Sequence, residues 1–315
     1  MVGLISCMKN NPLLCDTESG ICELPSVHTE NEPGAAGPGA IEPGEKPVKI
    51  IYFTDPICST CWGIEPQLRK LKLEYGQLVE LEYRMGGLLP DWSYNSGGIS
   101  KPTDVAPHWD EVSHYYQMPI VGDVWLEDPL HSSYPPSVAF KAAQMQDEDK
   151  AIAFLRRIRE MVFLEKKNIA RWEHLADAAN HAGLDAALFE EDYQNNAVTM
   201  FEADLQLAAE WSVRGFPTLL VFDREGRYEK VYGFKPYEVF EAAIAKMHPG
   251  APKAWYSKNW QDLFGKYPTL TAKEFAGLTG QSFESAEQQL RALHKEGLLE
   301  DYTTPNGTLW KLAAA

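Results

Sequence analysis

Residues 55–66 read D-P-I-C-S-T-C-W-G-I-E-P, and two thiols, Cys58 and Cys61, stand two residues apart in them. A pair at this spacing can exchange with a disulfide, supply half of a metal site, or sit inert in a core. The flanking segments favour exchange. V-K-I-I-Y-F-T-D (48–55) is apolar and β-branched and reads as a buried strand. The stretch from about Ser59 to Tyr75 reads as an amphipathic helix with Leu68, Leu71 and Tyr75 on one side, stopped by Gly76. Cysteines at a strand-to-helix junction meet the partial positive charge and free N–H groups of the helix start, which favour thiolate. Cys58 is then expected to be the exposed attacker and Cys61, one turn inside, the resolving thiol. A metal needs more ligands than two, and the chain holds no second C-x-x-C.

A second signal lies far along the chain, in V-R-G-F-P-T-L-L-V-F (213–222). Pro217 comes just before a strand, where a cis peptide is plausible and where the backbone beside it can accept an extended peptide next to the sulfurs. Between the two signals run a strand at 78–85, an irregular stretch rich in Trp, Tyr, Pro and Gly at 88–134, and a helical pattern from Pro136 to Trp211. A strand at 217–223, a turn at R-E-G, a strand at 228–234 and a helix from Pro236 to Met247 complete the unit. A long helical block is therefore inserted into a small α/β domain.

The paired motifs, D-P-I-C-S-T-C-W-G-I-E-P and V-R-G-F-P-T-L with a helical insertion between them, resemble the DsbA-like branch of the thioredoxin superfamily. Within it the chain is similar to the cytoplasmic FrnE-type and SpxH (YjbH)-type proteins, over roughly 48–248. The resemblance implies an α/β thioredoxin fold with a helical lid and a cis bond at Phe216–Pro217. It assigns Cys58 as nucleophile and Cys61 as resolving thiol in dithiol/disulfide exchange with a protein or peptide, and Pro66 matches the family's helix-kinking proline. Phe216, Pro217 and Trp62 are the expected substrate contacts. The dipeptide Ser59-Thr60 replaces the Pro-His of strong oxidants, so a milder oxidant, a reductase or an isomerase is expected. Phe216 is bulkier than the common Val or Thr and is expected to narrow the groove. Glutathione-dependent isomerases of the superfamily carry serine for the first cysteine, and Cys61 argues against that reading. The SpxH-type resemblance implies a different role, an adapter that presents a regulatory protein to a protease, with thiols as redox or zinc sensor. The intact C-x-x-C places the oxidoreductase first.

The remaining parts divide as a tail at 1–47, a thioredoxin-like domain at 48–104 and 212–248, a helical insertion at 105–211 and a C-terminal module at 268–315. Residues 24–47 are rich in Pro, Gly and Glu and read as a mobile tether. Ahead of them, Cys15 and Cys22 enclose D-T-E-S-G-I and form a candidate second redox pair. Cys7, Cys15, Cys22 and His28 could instead hold zinc, although their spacing fits no strong pattern; a solvated tail with idle thiols is the plainer reading. At 268–312, a capping box at Thr271 and Glu274, a second helix from Ser282 to Gly297 and a hairpin at Asn306-Gly307 outline a winged helix. Glu284 and Glu287 at the start of its second helix oppose phosphate, so a protein-contact or lid role is expected there rather than nucleic-acid binding. His108, His114 and His131 could line the thiol groove but are more simply surface residues, and Asp55 or Glu65 could accept a proton from Cys61.

The 315 residues carry a net charge of −16, which repels nucleic acid and anionic lipid. No apolar run reaches the ~18–20 residues that span a bilayer. The first residues, M-V-G-L-I-S-C-M, lack a basic region and a long apolar run, which reads as cytoplasmic. With Cys7, Cys15 and Cys22 changed to Ser, Cys58 and Cys61 should equilibrate with a glutathione series in one two-electron transition, followed by alkylation and mass spectrometry.

Overall fold

The computed structural model describes residues 45–93 and 100–314, together with the backbone of Cys22 and Glu23. Cys7, Cys15, His28 and the 24–44 part of the tether lie outside the described residues, so the second redox pair and the zinc set expected in the tail are not described. Strand β1 is the short segment Cys22–Glu23. Strand β2, Val48–Thr54, is buried everywhere but at Lys49 and forms the centre of a four-stranded sheet. After it come α1 (Ser59–Gly63), α2 (Glu65–Tyr75) and β3 (Val79–Met85). The helix expected as one piece breaks at Ile64, because Pro66 follows and cannot donate to the preceding turn.

The helical block comprises α3 (Pro102–Tyr116), α4 (Val124–Glu127), α5 (Tyr134–Gln146), α6 (Glu148–Phe163), α7 (Trp172–His181), α8 (Ala186–Asn195) and α9 (Ala197–Glu210). The stretch expected to be irregular holds α3 and α4. Pro102 and Pro107 hid α3: the first sits in its opening turn, where the missing N–H costs nothing, and the second lies inside the helix. The chain then returns through β4 (Gly215–Phe216), β5 (Thr218–Phe222), β6 (Tyr228–Tyr232) and α10 (Tyr237–Met247). The sheet order is β3-β2-β5-β6, with β2 parallel to β3 and antiparallel to β5, and with β5 and β6 a hairpin. This is a thioredoxin fold with a helical insertion. The insertion is tied to the sheet edge by Asp204 of α9, fully buried, which accepts from Met85 N at 2.9 Å and pairs with Arg84 and Lys141, each at 2.8 Å.

A second core holds α11 (Trp260–Lys266), β7 (Thr269–Thr271), α12 (Ala272–Thr279), α13 (Phe283–Lys295), β8 (Leu299–Thr304) and β9 (Gly307–Leu312). Helix, strand, helix, helix and a two-stranded wing, with sheet order β7-β9-β8, is the winged-helix arrangement. It starts at Trp260, ahead of the expected 268, because Leu263 and Phe264 of α11 belong to this core. The capping box forms, with Thr271 and Glu274 each satisfying the other's backbone N–H. The wing tip is docked on the insertion: Asn306 Nδ2 donates to Asp110 Oδ1 and to Ile120 O, both at 2.7 Å.

The module is joined to the thioredoxin domain by buried charges. Glu274 pairs with Arg156 of α6 at 2.8 Å and with Arg69 of α2 at 3.2 Å, and Arg69 also donates to Thr269 O at 2.6 Å. Burial alone would raise the Glu274 carboxyl, but Arg156 and Arg69 beside it hold it below its ordinary range. A carboxylate lowered by folding adds stability that is present above its unfolded value and is lost as pH falls through its folded value. Glu274→Ala leaves two buried guanidinium groups short of a partner and should cost about 3–5 kcal/mol in urea unfolding. The exposed Glu225→Ala should cost under ~0.5 kcal/mol, and Glu274→Gln should lose stability less steeply than wild type as pH falls below about 4.

Candidate dithiol site

The loop Asp55–Ile57 ends β2 and delivers Cys58 to the N-cap of α1, where its sulfur accepts from Cys61 N at 3.1 Å. A thiol thus does the work of a Ser or Asp cap, which holds both cysteines in one turn. The Asp55 carboxylate shapes the loop, accepting from Ile57 N at 3.0 Å, Leu88 N at 2.8 Å and Ser133 Oγ at 2.9 Å. Burial pushes its carboxyl up to about 6 against those three hydrogen bonds. Glu65 pairs with Arg159 at 2.8 Å. Asp55 and Glu65, of which one could accept a proton from Cys61, are thus engaged by loop amides, a serine and a guanidinium.

Both thiols are completely buried, each at 0% exposure, so the expected exposed Cys58 is corrected by the structure. The insertion covers them. Tyr116 of α3 donates to or accepts from Thr60 Oγ1 at 2.8 Å, and its ring lies so close to Gly63 that a Cβ there would sit 2.7 Å from it. Any larger residue at 63 would lift α3 from the dithiol turn. Trp62, expected to contact substrate, is also at 0% exposure. Its Nε1 donates to Pro119 O at 3.1 Å, its ring stacks on Phe163, and the Arg156 guanidinium lies 4.3 Å from the ring centroid. It packs the lid onto α1 instead of facing a ligand.

The Phe216–Pro217 peptide is cis. Phe216 does not narrow a groove: its ring is buried against Gly86, where a Cβ would come within 1.8 Å of it. Pro217 is buried as well, and its carbonyl accepts from Gly233 N at 2.9 Å. What these two residues offer a ligand is main chain, not side chain. His114 and His131 are exposed and His108 is half-buried.

Sequence reasoning missed Arg159, which is buried at 0% exposure. Its Nη2 donates to Thr54 Oγ1 at 2.6 Å and to Asp55 O at 3.2 Å, its Nη1 pairs with Glu65, and its Nε meets no acceptor. Helical phase held a signal: in α6 it stands with Leu155, Ile158 and Val162 at the i, i+3, i+4, i+7 spacing of a core face. The guanidinium acts on the thiols. Burial pushes Cys58 well up, and its hydrogen bond with Cys61 adds to that. Burial also opposes ionisation of Cys61, yet the hydrogen bond from Cys58, the charge of Arg159 and the Thr54 and Tyr52 hydroxyls bring it below its ordinary range. The surroundings disfavour charge on the helix-capping thiol and favour it on the inner one. Among the described residues no group of three or more His, Cys, Asp or Glu is placed to hold a metal ion, and no helix is long and apolar enough to cross a membrane.

A thioredoxin-fold domain with a two-cysteine turn, a cis-proline beside it and a helical lid defines the class: a DsbA-like member of the superfamily. The thioredoxin family model, described as Thioredoxin, matches residues 52–242. The ClpXP adapter protein SpxH of Halalkalibacterium halodurans is 33% identical over 309 residues, 96% of this chain and 97% of that protein. The ClpXP adapter protein SpxH of Bacillus subtilis is 30% identical over 272 residues, 85% of this chain and 90% of that protein. The chain belongs to this SpxH family within the thioredoxin superfamily. Among solved structures, the cytosolic disulfide reductase DsbM from Pseudomonas aeruginosa superposes with a TM-score of 0.52 at 23% identity, covering 63% of this chain and 99% of that one. That likeness carries the fold.

Buried thiols should react slowly. With a chromogenic aromatic disulfide, Cys58 and Cys61 in the native protein should react at least ~100-fold slower than in guanidinium-unfolded chain. Thiolate absorbance near 240 nm reads ionisation without reagent access; Thr54→Val and Arg159→Met should each shift its onset to higher pH, and the shift should persist when Cys58 is Ser.

Proposed function

We propose that this chain is a SpxH-type adapter that binds a regulatory protein and presents it to the ClpXP protease, with Cys58 and Cys61 as a redox-responsive element and not as a turnover site. One observation carries the reading. The likeness to the adapters runs over 96% of the chain, which takes in the winged-helix module, whereas the disulfide reductase covers 63% of it. The parts that an oxidoreductase does not need are the parts shared with the adapters. Two features of the site point the same way. Both sulfurs and the expected substrate-contact side chains are buried, so a protein disulfide reaches the attacking thiol only after this arrangement opens. The module is welded to the lid through Glu274, Arg156 and the wing tip, so it presents a fixed composite surface. The net charge of −16 suits a basic or neutral protein partner over nucleic acid.

The oxidoreductase reading is kept as second because the arrangement lowers Cys61. In that reading the Cys61–Cys58 pair passes two electrons and two protons to an external disulfide and closes an internal one. The two readings separate in one experiment. Purified ClpXP is given the regulatory protein served by SpxH relatives, with and without this chain. Degradation should accelerate severalfold, and the Cys58→Ser/Cys61→Ser variant should keep that acceleration. No acceleration, with insulin disulfides reduced by wild type and not by the variant, would sink the adapter reading in favour of the enzyme.

A further inference from the structure

The two residues ahead of the cis-proline do not pair with the main sheet. Among the described residues, strand β4, Gly215–Phe216, pairs with β1 alone, antiparallel, with Cys22 opposite Phe216 and Glu23 opposite Gly215. The place of this pairing follows from register. Phe53 of β2 faces Thr218 of β5, so Phe216 and Pro217 lie where β2 runs out into the loop that carries Cys58. We propose that the N-terminal segment around Cys22 is a built-in ligand of this edge, and that an extended segment of a protein partner must displace it to pair there.

The argument is one of backbone accounting. Gly215 and Phe216 are both buried, and a buried amide or carbonyl without a partner is costly. Some of the nearby groups are satisfied internally: Gly215 O accepts from Thr218 Oγ1 at 2.7 Å, Pro217 has no N–H, and Pro217 O accepts from Gly233. Beyond these, the observed partner of the edge is the β1 strand. Any extended peptide satisfies it, because main-chain pairing does not read side chains. The tail has the advantage of being attached. Residues 24–47 join it to β2, and attachment through the same chain gives an effective concentration on the order of millimolar. A partner segment therefore competes with a resident strand and not with water. Strands of two residues are weak, so the resident is held loosely enough to be exchanged. This occupancy is independent of whether the chain acts as adapter or enzyme.

The test uses the full-length chain and amide hydrogen exchange followed by NMR at Gly215 and Phe216. Cys22→Pro/Glu23→Pro disrupts the tail strand and should speed exchange of the protected amide about tenfold or more, while Leu219–Phe222 keep their protection. Cys22→Ser, which changes the thiol and not the backbone, should leave exchange as in wild type. A synthetic peptide of residues 18–27 added to the proline variant should restore protection. Unchanged exchange in the proline variant overturns the proposal. So does a loss that spreads through Leu219–Phe222 and is not reversed by the peptide.

Discussion

A ladder of buried opposite charges ties this protein together. Arg159 touches the strand end beneath the dithiol turn and pairs with Glu65; Arg69 and Arg156 share Glu274; Arg156 also pairs with Glu160. Three guanidinium groups are thereby matched by three carboxylates. In a low-dielectric interior, each of these charges is tolerated only because the next one is present. The members come from α2 of the thioredoxin domain, α6 of the insertion and α12 of the winged-helix module. The ladder thus fixes the three parts relative to one another, and it places a permanent cation under the sulfurs.

That cation changes the chemistry from what a helix N-terminus alone would give. The helix start faces Cys58, but Cys58 spends its sulfur as the cap of α1 and sits in a dry environment. The hydrogen bond from Cys58, followed by the charge of Arg159 and the Thr54 hydroxyl, favours charge on Cys61 against its burial. The same lid that excludes solvent through Tyr116 and Trp62 removes the open approach a turnover enzyme needs. A buried, polarised pair of thiols joined mechanically to the winged-helix module is the arrangement on which the proposed adapter role rests.

Much of this was legible in the chain. Strand β2 announced itself through seven residues of which only Lys49 breaks the apolar run, and the hairpin β8–β9 through its Asn-Gly turn. The capping box named the start of α12 before any coordinates did. Helix α3 was hidden because Pro107 contradicts local propensity, and its buried face is rewarded only once the sheet and the module are in place. Trp62 and Phe216 looked like ligand contacts because aromatic residues beside a reactive thiol fit either a groove or a core. The choice depended on Pro119 and Gly86, which are remote in sequence.

By itself the sequence determined the class of fold, the position of the two thiols at a strand-to-helix junction and the presence of a separate C-terminal module. These depend on local periodicity, turn chemistry and spacing, which a single segment carries. Only the tertiary structure decided that the thiols are covered, on which of them its surroundings favour charge, that the module is fixed to the lid and that Cys22 lies along the cis-proline edge. Those outcomes depend on groups brought together from distant segments: the electrostatics of a site belong to its surroundings, and a charge such as Arg159 acts through space that the order of residues does not record.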